Sequence, residues 1–152
     1  MSIIYPLPTF LEDKIERAVY MRWLHRKAVA HAKRDRKRSD DKIAIADYKP
    51  QIHKAVCQSD GIDWYTGEQL EWEKISTYDN DQSKAERSIY KASLALLPTV
   101  DHVSREDKGW DFVICSWRTN DAKNDLNYAD FVALCQRVLL RHQTKTKADS
   151  DI

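Results

Sequence analysis

The sequence predicts an α+β domain in which helices surround one antiparallel strand pair, and three stretches carry that prediction. From Leu11 to about Arg38 there is neither Gly nor Pro, and Leu11, Ile15, Ala18, Val19, Trp23, Leu24 and Ala28 recur near the helical period, so a long amphipathic helix is expected. Leu96–Val103 and Asp111–Trp117 are rich in β-branched and aromatic residues. The polar link between them contains Gly109, so the two read as a hairpin. Leu126 to about His142 is a second amphipathic helix, with Phe131, Val132, Cys135, Val138 and Leu139 on one side.

The remaining elements follow in order. Pro6 and Pro8 mark an extended lead-in to the first helix, which Ser39-Asp40-Asp41 breaks, Asp41 being placed to cap a short second helix. A further helical stretch from about Lys49 to Gln58 stops before Ser59-Asp60-Gly61. Asp63-Trp64-Tyr65-Thr66-Gly67-Glu68 combines aromatic and turn residues and reads as a tight ribbon or knuckle. Within the polar segment 73–93 a helix is expected around Asp81 to Ala92. Arg118–Asp125 reads as a short helix capped by Ser116 or Thr119. The polar tail from Gln143 is expected to fray. These elements divide the chain into a helical basic arm over 1–55, a core over 56–145 closed by the C-terminal helix, and a disordered tail over 146–152.

Composition narrows the function classes. Hydrophobic residues make up 42% of the 152-residue chain, enough for a core, while 32% charged residues and a mean hydropathy of −0.68 give a wet surface. No stretch approaches the roughly 20 apolar residues that cross a bilayer, and Met1–Phe10 lacks the basic start of a secretory signal. No membrane partner is expected. Cys57, Cys115 and Cys135 form an odd, widely spaced set without a CxxC pair, which argues against a disulfide framework or a zinc knuckle and suits the cytoplasm.

The net charge of +1 hides an asymmetry: residues 1–50 carry 12 Lys/Arg against 7 Asp/Glu, a balance of +5 that leaves −4 for the other 102 residues. Arg22, Arg26, Lys27, Lys33, Arg34, Arg36, Lys37 and Arg38 face only Asp35. Such a run points to a polyanion; a solvated helix face is the alternative on charge alone.

Asp101 and His102 fall near the end of the first strand, and Asn120 falls in the helix that follows the second. Adjacent strand residues point to opposite faces, so Asp101 and His102 serve one site only if the strand bends or ends there. Thr99-Val-Asp-His-Val103 followed by Asp111-Phe-Val-Ile-Cys-Ser-Trp-Arg-Thr-Asn120-Asp-Ala-Lys123-Asn-Asp125 resembles the ββα-metal motif of HNH endonucleases, most closely the zinc-free HNH domains of RNA-guided DNA nucleases.

The resemblance implies a ββα-metal core that hydrolyses phosphodiester bonds in DNA. His102 would be the general base, and Asp101 and Asn120 would hold one Mg²⁺ or Mn²⁺. Asn124, four residues after Asn120 on the same helix face, is the stand-in for the third position. Asp111 takes the place of the family's central Asn and is expected to be structural. Lys123 and Arg118 become candidates for phosphate contact, and Arg22, Arg26, Lys33, Arg34, Lys37 and Arg38 for tracking the DNA backbone. No structural zinc is expected; the knuckle Asp63–Gly67 takes the place of the family's first cysteine pair, with packing by Trp64, Tyr65 and Trp72 substituting for the metal. A single site nicks, so double-strand cutting needs a homodimer or two visits. The rival readings are a non-catalytic nucleic-acid-binding module, and an effector nuclease of a defence or phage assembly acting on DNA or RNA, with a targeting protein or guide choosing the target.

Other chemistry-bearing residues take structural readings: His25, His31, His53 and His142 as surface or packing residues, Cys115 and Cys135 as core, and the tryptophans mainly as packing.

Overall fold

The computed structural model describes residues 5–38, 44–77, 80–86, 88–103 and 110–150. The architecture is α+β and mostly helical: α1 (Arg17–Arg38), α2 (Ile45–Ser59), α3 (Asn80–Glu86), α4 (Ser88–Ser93), β1 (Pro98–His102), β2 (Phe112–Ser116), α5 (Trp117–Lys123) and α6 (Tyr128–Ser150). The expected break at Ser39–Asp41, with its Asp41 cap, and most of the hairpin link lie outside the described residues.

The first helix starts later than its periodicity suggests. Thr9–Leu11 forms a 3-10 turn, and the chain bends before α1 begins at Arg17. Arg17 then reaches back to the Tyr5 carbonyl at 3.3 Å. The bend lets Leu11 and Tyr20 both be buried, whereas a continuous helix would put Ala18, which is exposed, on the same stripe. α1 buries Tyr20, Trp23, Leu24, Ala28, His31 and Ala32.

α2 begins before the expected Lys49 and runs through Pro50. A proline inside a helix forfeits a backbone hydrogen bond; burial of Tyr48 and Ile52 on either side offsets that cost. Asp60 (φ 49°) ends the helix in the left-handed region and Gly61 (φ 86°) follows. At Gly61 a side chain would also meet Phe10 at 3.1 Å, so glycine is required there for both reasons.

The strands pair antiparallel with Pro98 opposite Ser116 and His102 opposite Phe112. Val100, Phe112 and Ile114 join one core with Tyr20, Trp23, Leu24, Tyr48, Ile52, Val56, Leu70 and Trp72. The basic N-terminal helices are therefore part of the same core as the strand pair, α1 packing on α2 and α2 on β2.

α6 departs most from expectation. It runs to Ser150, through the segment expected to fray, and it does not close the core. Among the described residues its ring contacts come from its first turn, where Tyr128 and Phe131 meet Trp64 and Tyr65. Val138, Leu139 and Leu140 are 62%, 57% and 63% exposed, and Cys135 is exposed rather than core. Amphipathic spacing identifies an apolar face without supplying its partner, and here α1 and α2 already fill the core.

Candidate functional site

Asp63 organises one end of the strand pair. Its carboxylate accepts the backbone N–H of Tyr65 (2.8 Å), Thr66 (3.3 Å) and Ser116 (2.8 Å) and the Thr119 hydroxyl (2.9 Å). The Ser116 hydroxyl accepts the Thr119 N–H at 3.1 Å and thereby caps α5. Burial alone would push the Asp63 carboxyl up, but the bonds from Ser116, Tyr65 and Thr119 outweigh it and hold it below the ordinary carboxylate range. Aromatic packing contributes at the knuckle, where Trp64 and Tyr65 meet each other and α6 and Trp72 donates to the Gly61 carbonyl, but it is not the whole of what holds it. Trp64 is 48% exposed, Trp72 belongs to the main core, and a buried carboxylate joins the knuckle to the turn from β2 into α5.

At the opposite end β1 stops at His102. Strand alternation sends Asp101 and His102 into different surroundings. Asp101 faces α5 and the knuckle: its Oδ2 accepts from Tyr65 Oη (2.7 Å) and is paired with Lys123 Nζ (3.0 Å). Its Oδ1 accepts no hydrogen bond among the described residues. Lys123 is 2% exposed and also donates to the His102 carbonyl at 3.1 Å. Lys123 is thus a buried brace for this end of β1, and the expectation that it contacts phosphate is corrected: its ammonium is already spent on Asp101 and His102.

His102 faces α1. Its Nδ1 lies 2.6 Å from Asp111 Oδ1, and its ring rests on Phe112 and meets His31 edge-on. A carboxylate oxygen accepts, so Nδ1 donates in this bond, and in a neutral ring Nε2 keeps its lone pair. That Nε2 is shielded from solvent and finds no hydrogen-bond partner among the described residues. Among the described residues the acidic atom nearest to it is Asp35 Oδ1 on α1, at 3.7 Å, while Asp35 Oδ2 accepts from the Tyr48 hydroxyl at 2.8 Å. Asp111 accordingly orients the His102 ring.

His31 belongs to the same wall. It is 2% exposed, and its Nε2 donates to the Val100 carbonyl at 3.2 Å. Burial, reinforced by Arg34, His102 and Lys27, lowers its pKa to about 2 and keeps it neutral. Lys27 donates to Thr99 Oγ1 at 2.9 Å, and burial, then Arg34 and Arg26, lowers its pKa to about 8.

α5 packs on both strands. Asn120 lies one turn before Lys123, so the two share the side of the helix that meets the end of β1. Asn124 does not: it lies past the end of α5, exposed, with φ 49°, so the helical-spacing argument for it as a substitute fails. Arg118 is exposed and paired with Glu68 of the knuckle. Arg22, Arg26, Lys33, Arg34, Lys37 and Arg38 are all exposed along α1. Helical geometry divides them: Arg22, Arg26, Lys33 and Lys37 form one outer stripe, and Arg34 and Arg38 lie on the side that turns toward His31 and His102.

Tyr65, Asp35 and Tyr48 are the site residues that the sequence reading missed. Asp35 carried a usable signal, being the one acidic residue in the basic run and one turn beyond His31 on the buried face. Tyr65 carried none, since its reach to Asp101 depends on the fold of the knuckle. Among the described residues no group of three or more His, Cys, Asp or Glu is placed to hold a metal ion, and no helix is long and apolar enough to cross a membrane. No protein-family model, no curated protein and no solved structure matches this chain.

Proposed function

We propose that the chain is a divalent-cation-dependent phosphodiester hydrolase of the HNH type, acting on DNA. The supporting observation is the His102–Asp111 bond at the end of a strand that also carries Asp101, with α5, the helix that carries Asn120, packed against the same pair of strands. A histidine whose Nδ1–H is held by a carboxylate presents Nε2 as the basic nitrogen, the arrangement a general base needs. Because β1 ends at His102, a phosphate lying across the strand end meets His102 on one side and Asp101 on the other.

The donors left at the site are hard oxygens: Asp101 Oδ1 and the Asn120 amide. Such a sparse oxygen set suits Mg²⁺ or Mn²⁺, which retain several waters, better than a soft metal. When bound, the cation supplies charge neutralisation at the scissile phosphate and the leaving oxygen. His102 takes the proton of the attacking water, Asp111 keeps the ring in the productive tautomer, and Lys123 with Tyr65 fixes the Asp101 carboxylate. The outer stripe of α1 supplies affinity for the backbone without sequence readout.

Supercoiled plasmid incubated with Mg²⁺, Mn²⁺ or EDTA tests the reading. Cation-dependent nicking by the wild type and its loss in His102→Ala is the expected result; nicking undiminished in His102→Ala sinks it. The shielding of His102 Nε2 favours a second reading, a nucleic-acid-binding module without cleavage, which the same assay separates by retention of DNA with no nicking.

A further inference from the structure

α1 changes character near its C-terminal end. Up to Ala32 its inner face is sealed in the core, with Tyr20, Leu24 and Ala28 fully buried. Beyond Ala32, Lys33, Arg34, Arg36, Lys37 and Arg38 are exposed, and Asp35 alone is turned inward. The Asp35 carboxylate reaches over His102, one oxygen 3.7 Å from Nε2 and the other held by Tyr48 at 2.8 Å. That separation exceeds a hydrogen bond, so Asp35 lies beside Nε2 without satisfying it.

We propose that Asp35, pinned by Tyr48, is a cap that keeps His102 Nε2 closed off, and that a phosphate backbone bound at the end of α1 displaces it. The inference deepens the functional reading above, on which its nucleic-acid partner rests. The physical basis lies in the charges on this turn. Arg34 and Arg38 attract a phosphate to the side of the helix that faces the site, and the same phosphate repels the Asp35 carboxylate beside them. Displacement breaks the Tyr48 bond, a cost that the bound phosphate must offset, and it moves only residues 33–38, none of which is buried. The His102 base would thereby be released only where a polyanion is present.

Histidine carbethoxylation with diethyl pyrocarbonate, mapped by mass spectrometry in EDTA, reads the cap directly and without turnover. His25 is the exposed control, and the buried His31 reports that the fold is intact. Labelling that depends on opening tracks the open population, so wild-type His102 is expected to react roughly tenfold or more slowly than His25. Asp35→Asn and Tyr48→Phe should each raise His102 labelling several-fold while His31 stays protected. A short DNA duplex should raise it in the wild type. His102 as reactive as His25 in the wild type overturns the cap, and unchanged labelling in both variants overturns the role of Asp35. No increase with DNA overturns displacement by phosphate. If the predicted labelling appears in a protein that never nicks plasmid, the cap stands and the nuclease reading fails. If nicking occurs with His102 freely labelled, the reverse holds.

Discussion

The two ends of the strand pair are built from the same kinds of residue and are opposite in chemistry. At the Pro98–Ser116 end, Asp63 sits among neutral donors, and Ser116 and Thr119 complete a closed, buried network. At the His102–Phe112 end, among the described residues, a histidine nitrogen is buried without a hydrogen-bond partner, and the Asp101 carboxylate is occupied on one oxygen. A polar cluster with all its hydrogen-bonding capacity used stabilises a fold. One with unused capacity holds reactive groups in place, and stability is lower for it. The contrast ties Asp63 to the fold and is the basis for the role proposed for His102 and Asp101.

The largest effect that can break this contrast is on activity. His102→Ala should lower nicking by about 10²–10⁴-fold, the usual yield of a general base, and leave the thermal midpoint within a few degrees of wild type. A collapse of the fold in that variant would put His102 in the same class as Asp63.

Asp63→Ala should do the opposite. It leaves the Ser116 N–H and the Thr119 hydroxyl buried without an acceptor, at a cost of about 3 kcal/mol. That corresponds to a fall of roughly 6–12 °C in the thermal midpoint for a chain of this size. Calorimetry or circular dichroism reads it. A midpoint unchanged within error would show that the knuckle is held by something else.

Acid should act on both ends, in different windows. The folded-state pKa of His31 is lowered to about 2, so below the ordinary histidine value of about 6.5 the unfolded chain takes up a proton that the folded one refuses. Stability therefore falls as pH drops below about 6.5, by at most about 1.4 kcal/mol per pH unit from this residue. Asp63 has a depressed carboxyl, so its contribution is present above the ordinary carboxylate value of about 4 and is lost as pH falls through its folded-state pKa. Denaturant titrations at stepped pH should show the first slope vanish in His31→Leu and the second persist. An unchanged slope between pH 6.5 and 5 in that variant would remove His31 from the account.

Smaller effects sharpen the comparison. Lys123→Met leaves Asp101 with only the Tyr65 hydroxyl, so added Mg²⁺ should raise the midpoint of this variant more than that of the wild type, by a few degrees at saturating concentration. No differential shift would argue that Asp101 does not face the cation. Neutralising Lys33 or Lys37, on the outer stripe, should reduce the salt dependence of DNA binding by about one unit of slope. A slope left unchanged would place the DNA elsewhere.

The sequence made the strand pair and α5 legible because β-branched runs, a Gly-containing link and a capping serine are local signals. It made the placement of Asp101, His102 and Asp111 at the strand termini legible through their spacing, but not the bond between Asp111 and His102, which joins the two strands. Two further features could not be read that way. The boundaries of α1 and α2 shifted because burial of Leu11, Tyr20, Tyr48 and Ile52 outweighed local preference. The exposure of α6 was hidden because a helix looks the same in sequence whether or not a partner covers its apolar stripe.

By itself the sequence determined an α+β chain with a basic first helix and an acid–histidine pair closing a strand, since composition, periodicity and spacing depend only on neighbours along the chain. Tertiary structure alone decided that Lys123 is buried against Asp101, that Asp63 clamps the knuckle, and that Asp35 lies over His102. Each of those contacts joins residues from different elements, and which donor reaches which acceptor is settled only when the core brings their backbones together.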